Sequence, residues 1–318
     1  MMCTMQDSVT EFEIIKRICS GKTTRDHRVL IGPGDDLALI QASAPGESSS
    51  GSDRMLLGVD QLVDGIHVDL SRVSLEEAGR KAVCRSLSDV AAMAGRPVAT
   101  LVSAVVPAEW NDGQAMALFD AMKSAADEHH APLVGGDLAV HHEPDGRLTC
   151  SVTVVGAPSD IGVVSRFDAE AGDGLYVTGE LGGSWRGRHH LDFTPRLAES
   201  AMLLAILGNR LHAMIDISDG LGRDAAHMVE RSDLQVIIDA ESLPCREGFG
   251  VQQAVGDGED YELLFAASGD VPEGLGNCAV TRIGAFKIKD DASDPDVLLR
   301  QNGDLSDISR AGWEHQSR

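Results

Sequence analysis

Gly32-Pro33-Gly34-Asp35-Asp36 runs directly into the apolar segment Leu37-Ala38-Leu39-Ile40. Two adjacent carboxylates in a glycine-framed turn, with no basic residue beside them, repel each other unless a cation or hydrogen-bond donors neutralise them. Hard divalent cations with oxygen ligands are the natural partner. A solvated turn would also use Asp and Gly, because both favour turn geometry. The balance moves toward a cation site because Asp recurs beside Gly or Ser next to apolar runs: Asp60, Asp89, Asp137, and the pair Asp216 and Asp219.

The bulk composition is consistent with this. The chain has 318 residues, room for two ordinary domains. It carries 50 acidic against 27 basic residues, a formal charge of -23, which argues against nucleic-acid or anionic-membrane binding. Any phosphate ligand would need metal ions to invert the local field. Aromatics are only 4% while glycines number 34, favouring tight backbone turns over aromatic-lined pockets. The six cysteines are scattered without a C-x-x-C pair, and no 18-residue apolar run occurs. Reduced thiols in a cytoplasmic protein are the expectation.

Along the chain, Ser8 or Thr10 offers an N-cap for a helix carrying Phe12, Ile14, Ile15 and Ile18. Gly21-Lys22-Thr23 resembles the end of a phosphate loop, but the first glycine of that motif would fall at Lys16. Gly32-Pro33-Gly34 does not extend to a dinucleotide fingerprint, because position 37 is Leu. The Ser- and Gly-rich stretch 41–54 predicts a hairpin loop. A strand from Met55 is expected to end at Asp60. Ser74-Leu75-Glu76-Glu77 is a capping box opening a helix that carries Asp89 among small apolar residues. Val98–Val106 is apolar enough for a strand covered on both faces, and a helix over 108–128 would bury Met116, Phe119 and Met122. In Gly135-Gly136-Asp137, at a strand end, two glycines remove side chains just before a carboxylate, so the backbone is expected to approach a ligand closely. Ser165-Arg166 offers an anion contact. Ala213–Leu221 predicts a short strand delivering Asp216, Ser218 and Asp219 to a helix start, where Ser218 or Asp219 would cap. Gly258-Glu259-Asp260-Tyr261-Glu262 opens another strand. His67, like most lone histidines, reads first as a satisfied side chain. The pairs His129-His130, His141-His142 and His189-His190 read as solvated, and the tail 290–318 as polar. Strands interleaved with helices in both halves predict an α/β or α+β protein with a ligand cleft between domains.

Taken in order, Gly34-Asp35-Asp36, Asp60 with His67, Leu87-Ser88-Asp89, Gly135-Gly136-Asp137, Ser165-Arg166, Asp216-Ile217-Ser218-Asp219-Gly220 and Gly258–Leu263 resemble the thiamine-monophosphate kinase family, from about residue 11 to 315. That family belongs with aminoimidazole ribonucleotide synthetase and selenophosphate synthetase among ATP-using enzymes without a P-loop. The resemblance implies an N-terminal ATP- and Mg-binding domain over 1–157, a C-terminal α/β domain over 158–318, and a homodimer whose N-terminal strands form a shared barrel. It implies phosphoryl transfer from ATP to thiamine monophosphate. It further implies several Mg²⁺ ions on Asp36, Asp60, Asp89, Asp137, Asp216 and Asp219, with Asp35 a weaker ligand. Gly136, Asp137, Arg166 and Ser218 would touch ATP, and His67, Glu259 and Trp313 the acceptor. No side chain is nominated as a general base, because a phosphate oxygen is already nucleophilic.

The sequence departs from the family pattern at Gly58-Val59 and Leu138-Ala139, where hydroxyl residues are usual, and in the short segment 182–195. Loss of a hydroxyl at Val59 is expected to weaken a metal site without abolishing it. The competing readings are a related superfamily enzyme with another small substrate, and a non-catalytic nucleotide or metal sensor. Glu259-Asp260-Tyr261-Glu262 and Trp313 favour the thiamine branch.

Overall fold

The computed structural model describes residues 27–42, 53–143 and 145–313. The expected helix over 10–18, the rejected phosphate loop, Cys3, Cys19 and most of the 41–54 loop lie outside them. Among the described residues the strands form two sheets. The first contains β1 (Val29–Ile31), β2 (Ala38–Gln41), β3 (Arg54–Val63), β4 (Arg96–Val106), β5 (Leu133–Val140) and β6 (Thr149–Ala157), in the order β1-β2-β3-β6-β4-β5. Gln41 pairs antiparallel with Arg54, so the 41–54 connection is a hairpin. The second sheet uses β7 (Gly174–Thr178), β8 (Leu211–Asp216), β9 (Leu234–Asp239), β10 (Leu263–Ala267), β11 (Gly274–Leu275), β12 (Cys278–Ile288), β13 (Val297–Gln301) and β14 (Asp304–Asp307). Its order is β14-β13-β9-β12-β7-β10-β8, with β11 paired to β12. Helices α1 (Leu75–Ala92) and α2 (Asp112–Glu128) cover the first sheet; α3 (His189–Asp192), α4 (Leu197–Leu207), α5 (Leu221–Val229) and α6 (Val251–Gly256) belong to the second half.

Helix α1 holds the two halves together. The Ser74 hydroxyl accepts from the Glu77 amide and the Glu77 carboxylate accepts from the Ser74 amide, the capping box read from the sequence. From that start, Ala78, Ala82, Val83, Leu87 and Val90 enter the apolar core beneath the first sheet. Ala91 at its end joins a separate cluster with Leu203, Leu204, Met214 and Phe265 of the second half. The helix therefore packs against β3 and β6 on one side, and against α3, α4 and β8 on the other.

Several local expectations are corrected. Strand β4 buries only alternate residues, and Val98 and Leu101 stay exposed; the sheet's second face has no cover among the described residues. Strand β3 does not stop at Asp60, because Leu62 continues the inward alternation and is fully buried. Gly135-Gly136-Asp137 is not at a strand end but in the middle of β5, paired in parallel with β4. A Cβ at Gly136 would collide with the Val102 carbonyl oxygen, so strand packing accounts for that glycine. Helix α2 starts at Asp112 under an Asn111 cap and buries Leu118, Met122, Ala125 and Ala126, leaving Met116 exposed. The polar tail contributes β13 and β14, with Val297 and Leu299 turned into the core.

Candidate active site

Three carboxylates from distant segments meet where the sheets face each other. Asp36 follows β1, Asp89 lies in the last turn of α1, and Asp216 ends β8; oxygens from all three lie within 4.8 Å of one another. The last turn of α1 carries no basic residue, so Asp89 adds its charge to the negative end of a helix dipole. Around them, Ser88 Oγ donates to Asp216 Oδ2 at 2.5 Å and Arg166 Nη2 donates to Asp36 Oδ1 at 2.5 Å. Asp36 Oδ2 is buried and has no hydrogen-bond partner among the described residues.

This clasp is electrostatically overloaded. Burial, opposed by Arg166 and reinforced by Asp216 and Asp35, pushes the Asp36 carboxyl up from 3.8 to about 7. Burial likewise moves Asp216 to about 6 against the stabilising Ser88 hydrogen bond. Asp89 rises well above its ordinary value through burial and the charges of Asp60, Asp216 and Asp36. Arg166 alone cannot neutralise the three clustered carboxylates, and a buried carboxylate oxygen without a donor suits a hard cation. The donor set is all oxygen, which fits Mg²⁺.

Asp60 sits at the margin of the clasp, on the helix-facing side of β3, with its Oδ2 3.8 Å from Arg85 Nε. Val59, one residue earlier, points to the opposite face and is 62% exposed. The expectation that Val59 removes a metal ligand is therefore overturned by simple strand alternation. Gly58 does face inward, but a Cβ there would collide with Leu37. Asp35 is a staple rather than a ligand: its carboxylate accepts from Ser165 Oγ at 2.6 Å and from the Arg166 amide at 3.3 Å.

Asp216 leads through Ile217 into Ser218, Asp219 and Gly220. The predicted side-chain cap from Ser218 or Asp219 is absent; Gly220 occupies the N-cap of α5. The carboxylate of Asp224, one turn into the helix, instead accepts the amides of Ser218, Asp219 and Gly220 at 3.0, 3.1 and 3.0 Å. Because Asp224 satisfies those amides, the Ser218 and Asp219 side chains are not needed as caps and both residues line a neighbouring cavity.

That cavity, about 760 Å³, is also lined by His67, Glu259 and Trp313. Five of the residues singled out from sequence thus share one wall. Arg85, Arg147 and Arg186 add positive charge, and Trp185 and Tyr261 add aromatic surface. Gly136 and Asp137 are not brought into either group: both lie exposed on β5, at the edge of the first sheet.

Sequence reasoning missed several residues. Asp224 was not singled out, although a carboxylate in the first turn of a helix is a recognisable amide partner. His190 was read as solvated; it is 3% exposed and stacks on Trp185 with ring centroids 4.2 Å apart. Lys81 and Arg85 precede Ser88 and Asp89 at helical spacing on α1, and this spacing is the signal that could have found them.

Residues 34–157 match the family model described as AIR synthase related protein, N-terminal domain. Over 258 residues the chain is 34% identical to the thiamine-monophosphate kinase of Rhodopirellula baltica, covering 78% of this chain and 79% of that one. The chain belongs to the thiamine-monophosphate kinase family. Its kinase relative from Bacillus subtilis is 28% identical over 336 residues, covering 96% and 99% of the two chains. The solved structure "AaThiL complexed with AMPPCP and TMP" superposes with a TM-score of 0.78 at 26% identity, covering 97% of each chain. The kinase fold is thus matched over the whole two-sheet arrangement.

The overloaded clasp makes a stability prediction. A carboxyl whose folded-state value is raised opposes folding increasingly as pH climbs above its unfolded value. In EDTA, Asp89→Asn should therefore melt at or above the wild-type temperature, and its advantage should grow from pH 4 toward 7. Mg²⁺ should raise the wild-type melting temperature and leave the variant nearly unmoved. A variant that melts far below wild type in EDTA, yet still responds to Mg²⁺, would contradict the assignment.

Proposed function

We infer that the chain transfers the γ-phosphoryl group of ATP to thiamine monophosphate, giving thiamine diphosphate and ADP, with the clasp and the cavity as the two ends of one site. The observation that carries this reading is the 216–219 segment. Asp216 belongs to the clasp and Asp219 lines the cavity, so a donor held at one meets an acceptor held at the other. The solved relative bound to AMPPCP and TMP supports the same pair of ligands.

Asp36, Asp89 and Asp216 would hold Mg²⁺, with Asp60 and Asp219 at the margins for further ions. Bound Mg²⁺ would neutralise the phosphate oxygens and so permit two polyanions to approach end to end. The chain's own work is positioning. Ser88 fixes the Asp216 carboxylate, Arg166 fixes that of Asp36, and Asp224 orders the 218–220 amides. Arg166 stands at the nucleotide end, and Ser218, on the cavity wall beside Asp219, stands where the two ends meet. Gly136 and Asp137, exposed on the edge strand β5 away from both groups, are not assigned a contact in this arrangement. His67, Glu259 and Trp313 stand at the acceptor end. The acceptor phosphate attacks without a protein base, its oxygen being already ionised.

The two sheets correspond to an N-terminal domain ending at residue 157 and a C-terminal domain starting at 158. The uncovered face of the first sheet supports a homodimer: Val59, Val98 and Leu101 are exposed there, and Val134, Leu138 and Val140 are exposed along the edge strand. A sheet with an apolar open face and an unpaired edge is suited to closing against a second copy as a shared barrel. Among the described residues no helix is long and apolar enough to cross a membrane.

Incubation with MgATP and a panel of phosphorylated small acceptors should yield product only with thiamine monophosphate. Transfer to another acceptor, or none to thiamine monophosphate, would sink the reading. In sedimentation at micromolar concentration the protein should run at about twice its 33.7 kDa chain mass. A species of single-chain mass alone would remove the dimer.

A further inference from the structure

Lys81 has no exposed surface, although it sits mid-helix in α1 beside the acceptor cavity. A lysine is seldom buried this completely unless each of its protons has a partner. Here all three do. Nζ donates to the His67 carbonyl oxygen at 2.6 Å and to Glu259 Oε2 at 2.9 Å, and lies 2.9 Å from His190 Nδ1. The third bond requires a neutral imidazole with its proton on Nε2. Burial first, then the Lys81 charge, pushes His190 down to about 3, which keeps it neutral. Trp185 stacks on that imidazole, and the Lys81 ammonium lies 4.9 Å from the indole centroid.

The partners come from three separate segments: the turn after β3 (His67), the short helix α3 (His190) with Trp185 in the loop before it, and the loop before β10 (Glu259). Each segment contributes to the cavity wall, through His67, Trp185 and Glu259 among others. We propose that Lys81 is a positioning residue of the acceptor site, gathering the His67 turn, the Trp185 platform and the Glu259 carboxylate into one binding surface without touching the substrate. The proposal rests on the reading that this cavity takes thiamine monophosphate, whose thiazolium ring is a cation. By pairing with Glu259, the ammonium also governs how much negative charge the cavity presents to that ring. Glu259 needs such an anchor. Its backbone is in the left-handed region at φ 53°, and its other oxygen has only the Tyr261 hydroxyl at 3.3 Å. None of the clasp carboxylates touches Lys81, so its loss should fall on the acceptor and spare the nucleotide.

Lys81→Met removes the ammonium and keeps an unbranched stem. Steady-state kinetics with both substrates should show the KM for thiamine monophosphate rising about tenfold or more, the scale of one lost charge-assisted hydrogen bond. The KM for MgATP and kcat should stay within about twofold. In parallel, 5-fluorotryptophan-labelled protein without ligands gives a resonance for each indole, with that of Trp185 assigned through Trp185→Phe. Lys81→Met should move the Trp185 signal and leave that of Trp110 in place. Equal losses for both substrates, or an unchanged acceptor KM, would overturn the proposal. If wild-type protein does not phosphorylate thiamine monophosphate, the functional reading fails, and the fluorine signal decides the positioning role: a stationary Trp185 resonance would then overturn it. Should Lys81→Met not fold, Lys81→Gln, which keeps a neutral donor on a shorter stem, carries the same comparisons.

Discussion

The repulsion among Asp36, Asp60, Asp89 and Asp216 is the constraint on which the rest of the structure depends. Carboxylates brought this close inside a protein raise one another's proton affinity, and the guanidiniums of Arg166, beside Asp36, and Arg85, beside Asp60, offset only part of it. Stability alone gives no reason to place such a group at the negative end of a helix. The surrounding structure is arranged to tolerate it: Ser88 holds Asp216, Ser165 and the Arg166 amide hold Asp35, and Asp224 collects the amides that would otherwise compete for Asp219. The charge that remains unbalanced is the kind a hard cation would offset.

Helix α1 turns that electrostatic problem into a site. One face is apolar and fills the first core. The other bears Lys81, Arg85, Ser88 and Asp89, so a single rigid element addresses the acceptor cavity at its middle and the clasp at its end. Sites held on helices keep their geometry better than sites held on loops. The 216–219 segment supplies the complementary link from the second sheet. The clasp and the cavity are thereby fixed relative to each other by α1 and the 216–219 segment, which come from opposite halves.

Much of this was legible in the residues. Asp beside Gly or Ser at the ends of apolar runs marked Asp36, Asp89, Asp216 and Asp219 before any coordinates, because such carboxylates are otherwise hard to explain near a core. The capping box at Ser74 and the strand Leu234–Asp239 were also readable, being local in origin. Long-range facts were not. Which face of β3 carries Asp60 and which carries Val59 depends on what packs against the strand, and the apolar composition of β4 could not reveal that one face stays open. Lys81 and His190 were passed over because a charged or polar residue is read as exposed until its partners, here Glu259 and Trp185, are seen to arrive from elsewhere.

The account's central claim is that the carboxylate clasp and the acceptor cavity adjoin across the 216–219 segment. Mn²⁺ substituted for Mg²⁺ tests this through the ³¹P resonance of bound thiamine monophosphate, recorded with a non-hydrolysable ATP analogue present. Strong paramagnetic broadening of the acceptor phosphorus is expected, lost when Asp216→Asn removes a clasp carboxylate. Tight Mn²⁺ binding that leaves that resonance sharp would show that the clasp and the cavity do not serve one reaction.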